Sequence, residues 1–192
     1  KRQIRKNAGF GCVICGLGIV EYEHVEPEYT DAKVHDASCM TILCPNCHSK
    51  VTSRIWSKQK VKDAMKNPIC LTTGYSNDFF DLGNAMPIIT FAGSKIVNTE
   101  IPLMIRGIPI IKIEPPDDGP NFRLTAALTD SNGNRTLTII NNEWFASTKN
   151  WDVDITGPTI TIREGKRDIT LQLTAVPPNQ IIITRINMLV KG

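Results

Sequence analysis

The sequence predicts an α+β protein in which a small metal-stapled module precedes an all-β domain, itself a sandwich, a barrel or a short solenoid. Three observations carry that expectation. Four of the six cysteines form two Cys-x-x-Cys pairs, Cys12 with Cys15 and Cys44 with Cys47, all within the first quarter of the chain. From Arg54 to Asn67, Ile55, Val61 and Met65 recur among Lys58, Lys60, Lys62 and Lys66 with helical period. From about Met86 onward, short runs of Ile, Val, Thr and Leu are separated by Gly, Pro, Asn and Asp, the alternation of strands and turns.

The cysteine pairs come first along the chain. Glycines flank Cys12-Val13-Ile14-Cys15 and let the backbone turn both sulfurs inward. In Cys44-Pro45-Asn46-Cys47, Pro45 suits the first residue of a helix, where its missing N–H costs nothing, and one helical turn then returns Cys47 to Cys44. Four thiolates close a tetrahedron, so a structural zinc is expected on Cys12, Cys15, Cys44 and Cys47. Residues 71–192 contain no cysteine, which argues against a disulfide scaffold spread over the whole chain.

The amphipathic segment ends at Pro68. The expected organisation is therefore a module over residues 1–67, a polar linker over 68–85 and a β-rich domain over 86–192. Candidate strands in that domain are Ile88–Phe91, Lys95–Val97, Leu103–Ile105, Ile110–Ile113, Phe122–Leu128, Thr136–Ile140, Val153–Ile155, Thr159–Arg163, Ile169–Leu173 and Ile181–Ile186. Asp130-Ser131-Asn132-Gly133-Asn134 has the residues of a hairpin turn with positive φ. Trp144 and Trp151 are expected to serve packing rather than base stacking.

Composition narrows the function classes. A hydrophobic fraction of 41% and a charged fraction of 21% are those of an ordinary globular protein. No apolar run approaches the ~20 residues of a membrane-spanning helix, and the basic start lacks the apolar stretch of a secretory signal, so a cytoplasmic location without membrane attachment is expected. The first residue is Lys1 and not Met, as in a piece of a longer chain. Residues 1–66 carry eleven Lys or Arg against seven Asp or Glu, and the remainder eleven against twelve. Any phosphate contact is thus expected in the first third.

Between the cysteine pairs lies Glu21-Tyr22-Glu23-His24-Val25-Glu26-Pro27, and His48 directly follows Cys47. An acid–His pair followed by a cysteine knuckle that ends in a second histidine resembles the HNH endonuclease family, over residues from about Arg5 to Thr52. The resemblance implies a ββα-metal nuclease module that hydrolyses DNA phosphodiester bonds. It implies that His24 is the general base for the attacking water, and that Glu23 and His48 hold a catalytic Mg2+, Mn2+ or other divalent ion. A double-stranded DNA partner is expected, with single strands and RNA left open; the resemblance implies a bacterial or phage setting, with mobile-element endonuclease, restriction enzyme and antiphage effector left open.

One position departs from the family pattern. Its central asparagine, which ties down the loop orienting the base, is replaced by Cys39, nine positions before His48. A thiol is a weak donor and a weak acceptor, so reduced activity is expected unless Ser38 or another group fixes that loop. Beside a nuclease site, Lys1, Arg2, Arg5, Lys6, Lys50, Arg54 and the run Lys58 to Lys66 become candidate phosphate contacts. His35 is expected to be a loop residue and Asn46 to shape the start of the helix. The alternative function is a zinc-knuckle module with a weakened catalytic site that binds nucleic acid or a partner. In either case the β-rich domain is a candidate sensor, assembly surface or site of homo-oligomerisation.

Overall fold

A computed structural model describes residues 1–26 and 36–191, so Pro27 and His35 lie outside the described residues. The protein is α+β and mostly β. A short helix, α1 (Arg2–Asn7), leads into the first cysteine knuckle, and β1 (Glu21–His24) pairs antiparallel with β2 (Met40–Leu43). Helix α2 (Pro45–Thr52) follows β2 after the single residue Cys44.

Local chemistry sets these helix ends. Pro45 opens α2 as expected, and the extended N-cap residue Cys44 accepts the Cys47 N–H on its sulfur at 3.4 Å. Beyond the C-cap Ser53, Arg54 adopts φ 59° and reverses the chain toward α3 (Lys58–Lys66). Ser57 caps α3 by accepting the Lys60 N–H, and Val61 is its buried anchor. Asn67 ends it one residue before Pro68, whose ring disfavours helical backbone in the preceding residue.

The segment expected as a polar linker is structured: it holds α4 (Ile69–Thr73) and β3 (Tyr75–Phe79). Strand β3 pairs with β10 (Glu143–Ser147) at the end of a six-stranded sheet of order β3-β10-β9-β8-β7-β6. The other members are β6 (Leu103–Ile105), β7 (Ile108–Glu114), β8 (Arg123–Thr129) and β9 (Arg135–Ile140). The second sheet has the order β11-β12-β13-β14-β4-β5. It comprises β4 (Ile88–Phe91), β5 (Ser94–Ile96), β11 (Asp152–Thr156), β12 (Thr159–Gly165), β13 (Asp168–Val176) and β14 (Gln180–Ile186). All neighbouring strands run antiparallel except β14 and β4.

Both sheets contribute to one buried cluster, with Ile111, Leu124, Leu137 and Trp144 from the first and Ile160, Ile162, Leu171 and Ile183 from the second. Of the three expected arrangements this is the sandwich. Burial alternates along β8, as a strand with one face inward requires. The hairpin between β8 and β9 turns at Asp130–Asn134, where Gly133 takes φ 81° and Asp130 accepts the N–H groups of Asn132 and Asn134.

A second buried cluster lies within the first module: Ile4, Val13, Val25, Ile42, Leu43, Val51 and Val61 gather around Cys12, Cys44 and Cys47. The two cores are joined at several points. Phe10, at φ 68°, packs into the sandwich core rather than its own. Gly18 donates its N–H to Asn77 O of β3 and lies so close to the Trp144 ring that a Cβ could not be accommodated without movement. Helix α1 also rests against β11.

Candidate metal centre and adjoining cleft

The sulfurs of Cys12, Cys15, Cys44 and Cys47 all lie within 4.8 Å of one another. The first knuckle is closed by the hydrogen bonds Cys12 N–H to Leu17 O and Gly16 N–H to Cys12 O, with Gly16 at φ 88°. Cys15 Sγ is 3.5 Å from Cys44 Sγ and 3.8 Å from Cys47 Sγ. A tetrahedral ion with bonds of about 2.3 Å needs sulfurs about 3.8 Å apart, whereas a disulfide needs about 2.05 Å. The donor set therefore fits a structural metal such as zinc.

Protons are shared unequally among these sulfurs. The hydrogen bond from Cys15 pulls the Cys12 thiol down to about 5, and the same bond drives Cys15 far above the ordinary thiol range. Burial pushes Cys47 up to about 12. A divalent cation favours the thiolate form of all four, which is why binding such an ion releases protons.

Beside the cysteine cluster a cleft of about 890 Å³ is lined by Tyr22, Glu23, His24, His48, Val51, Thr52 and residues 54–58. Glu23 is buried, and two groups meet its carboxyl group. His48 Nε2 lies 2.8 Å from Glu23 Oε2, while the Lys58 ammonium pairs with Glu23 Oε1 and donates to His24 O at 2.7 Å. The other ring nitrogen of His48, Nδ1, lies 2.7 Å from Glu21 Oε2. Glu21 and Glu23 alternate on one face of β1 and so grip the same imidazole from its two sides.

The expected catalytic residues are thus partly assembled. Glu23 and His48 are in contact, and His24, half-buried at the end of β1, lines the same cleft. Among the described residues, the four cysteines are the group of three or more acids, histidines or cysteines that converges to ligand distance. Glu23 and His48 offer two donors and no more. Cys39 stands apart from them: its sulfur is 3.7 Å from Ser38 Oγ, and its main-chain oxygen accepts the Val25 N–H at 2.9 Å. The turn before it is fixed by Asp36, whose carboxylate accepts the Ser38 N–H and whose carbonyl accepts the Cys39 N–H.

Three of the expected phosphate contacts face the sandwich instead. Arg5 is 8% exposed and makes a two-pronged ion pair with Asp152, Lys6 donates to Thr148 O and Asn150 O, and Arg2 lies over the Trp151 ring while donating to Trp151 O. Their charges are spent on joining the two parts of the chain. Lys1 is exposed and lies 5.6 Å from the Tyr22 ring centroid. Arg54 lines the cleft, and Lys50 and Lys60 lie 4.6 and 4.2 Å from the ring centroid of Trp56, which also lines it.

Glu21, Trp56 and the inward direction of Lys58 lie outside the residues that the sequence motif marks. Period-two alternation with Glu23 could have found Glu21. No sequence signal distinguishes Lys58 from the outward lysines of α3.

Fold and site together define a mostly β, α+β protein with a four-cysteine cluster spaced for a metal ion. Among the described residues, no helix is long and apolar enough to cross a membrane. No known family model matches the chain, and neither a curated protein nor a solved structure does.

Proposed function

We propose that the protein is a metal-dependent endonuclease of the HNH type acting on DNA, with zinc on the four cysteines holding the module together. The observation that carries this reading is the meeting of Glu23 and His48 at 2.8 Å in a cleft that His24 also lines. The antiparallel pair β1–β2 followed by α2 presents the acid–His pair from a strand and the second histidine from a helix, the arrangement the resemblance implies.

Each residue then has a task. An imidazole nitrogen of His24 takes the proton of the attacking water, the work of a general base. Glu21 fixes the ring orientation of His48, as carboxylates commonly do for a metal-binding histidine. A divalent ion held by Glu23 and His48 would supply Lewis-acid polarisation of the phosphorus and neutralise charge on the departing oxygen. Arg54, Lys50 and Lys60 form a basic rim around Trp56 that suits a phosphodiester backbone and carries no sequence information.

The test is a panel of plasmid, linear duplex, single-stranded DNA and RNA incubated with the full chain in Mg2+, Mn2+ or Ni2+, with zinc content checked throughout. Nicking of DNA that requires the added ion is expected. Binding without cleavage in every ion would instead favour a module that only docks nucleic acid.

A further inference from the structure

Lys58 occupies the first position of α3, next to the positive end of the helix, where a cation is electrostatically disfavoured. Its side chain does not turn to solvent. The ammonium reaches back to β1, pairs with Glu23 Oε1 and donates to the His24 main-chain oxygen at 2.7 Å. Two of its three N–H groups are thereby committed to adjacent residues of one strand.

A second contact of the same kind lies one helical turn further on, where Lys62 pairs with Glu26. The inward row of α3 thus fastens the end of β1 and the residues just after it. Among the described residues, the Cys39 sulfur meets Ser38 Oγ at 3.7 Å and holds neither Glu23 nor His24.

We infer that Lys58 is the positioning residue of the cleft: it clamps the Glu23 carboxylate and the His24 backbone together, so that Glu23 Oε2 faces His48 while the His24 ring stays fixed at the strand end. The inference rests on the nuclease reading for its kinetic consequence and on the structure alone for its mechanical one. Lys58 does not itself touch the reacting atoms.

The test compares Lys58→Met and Lys58→Arg with the parent chain, each checked for zinc content and thermal transition. Lys58→Met is expected to lower kcat for nicking roughly 10- to 100-fold, the range seen when groups supporting a metal ligand are lost, with KM and its salt dependence nearly unchanged. Lys58→Arg, which keeps the charge and the donors, is expected to recover most of that loss. A raised KM with unchanged kcat and a shallower salt dependence would make Lys58 a phosphate contact and overturn the inference.

Amide exchange at Val25, whose N–H bonds Cys39 O next to the clamp, gives a readout that needs no activity. It should quicken about tenfold in Lys58→Met while core amides such as Ile42 stay protected. If the parent chain cleaves nothing, the nuclease reading fails and this exchange result alone decides on the clamp. Unaltered exchange would sink it. Should Lys58→Met lose its zinc, the same two measurements on Lys58→Gln decide the matter.

Discussion

Arg5 of α1 and Asp152 of β11 meet across the boundary between the cysteine module and the sandwich, with Arg5 Nη2 2.8 Å from Asp152 Oδ2 and both side chains almost fully buried. The Arg5 guanidinium is held above its usual value because burial, which acts to lower it, is outweighed by hydrogen bonds and attraction from Asp152 and the further charge of Asp154. Removing one partner of a buried pair leaves an uncompensated charge. Asp152→Ala should therefore cost roughly 3 kcal/mol, toward the low end of the usual penalty because Asp154 remains at 3.2 Å. Urea denaturation checks this; a loss under about 1 kcal/mol would mean that the pair is solvated and does not join the two parts.

Removing the metal should act on the first module before the sandwich. The cluster Ile4, Val13, Ile42 and Leu43 is small and is organised around the cysteines, whereas the sandwich core has its own inner faces. Structural zinc contributes about 10–16 kcal/mol of apparent binding free energy to small sites of this kind. A strong chelator, or Cys44→Ser, should release the ion and quench the ordered signal of Trp56 while much of the β-sheet circular dichroism persists. Intact module fluorescence after complete zinc removal would contradict that order.

Gly18 packs against the Trp144 ring, and a methyl group there has no space. Gly18→Ala should destabilise the chain by about 1–3 kcal/mol, the usual cost of overpacking, and perturb Trp144 emission. A melting temperature within a degree of the parent would show that the contact between knuckle and sheet is loose.

Acid should weaken the turn between β8 and β9. Although burial opposes it, the Asp130 carboxylate is held below its ordinary range by hydrogen bonds from the Asn134 side chain and from the backbone of Asn134 and Asn132. A carboxyl whose folded value is depressed stabilises above its unfolded value, near 3.9, and that contribution is lost as pH falls through the folded value. Asp130→Ala should thus cost about 1 kcal/mol at pH 7 and progressively less in acid. Equal losses at pH 7 and pH 2.5 would assign the effect to packing instead.

Much of this was legible in the chain itself. The spacing of Cys12, Cys15, Cys44 and Cys47, the role of Pro45, and the ten Ile-, Val- and Thr-rich strands all follow from local chemistry, and each of those strands overlaps one in the structure. Strands β3 and β10 were missed because Tyr-Ser-Asn-Asp-Phe and Glu-Trp-Phe-Ala-Ser have weak strand signatures; they become strands by pairing with each other and with β9. The direction of the basic residues was invisible for a related reason. Arg2, Arg5 and Lys6 read as a free cationic arm until β11 and the loop before it supply Asp152 and the carbonyls that hold them. Glu23 and His48 could be paired from their motif, but the grip of Glu21 and Lys58 on that pair depends on how β1, α2 and α3 converge.

We propose that His24 removes a proton in the cleft where Glu23 and His48 meet, and plasmid nicking by His24→Ala tests this. With zinc content and melting temperature held at the parental values, and with Mg2+ or Mn2+ supplied, loss of the base should slow nicking by about 100-fold or more. Parental nicking by a folded, zinc-loaded His24→Ala protein would contradict the assignment.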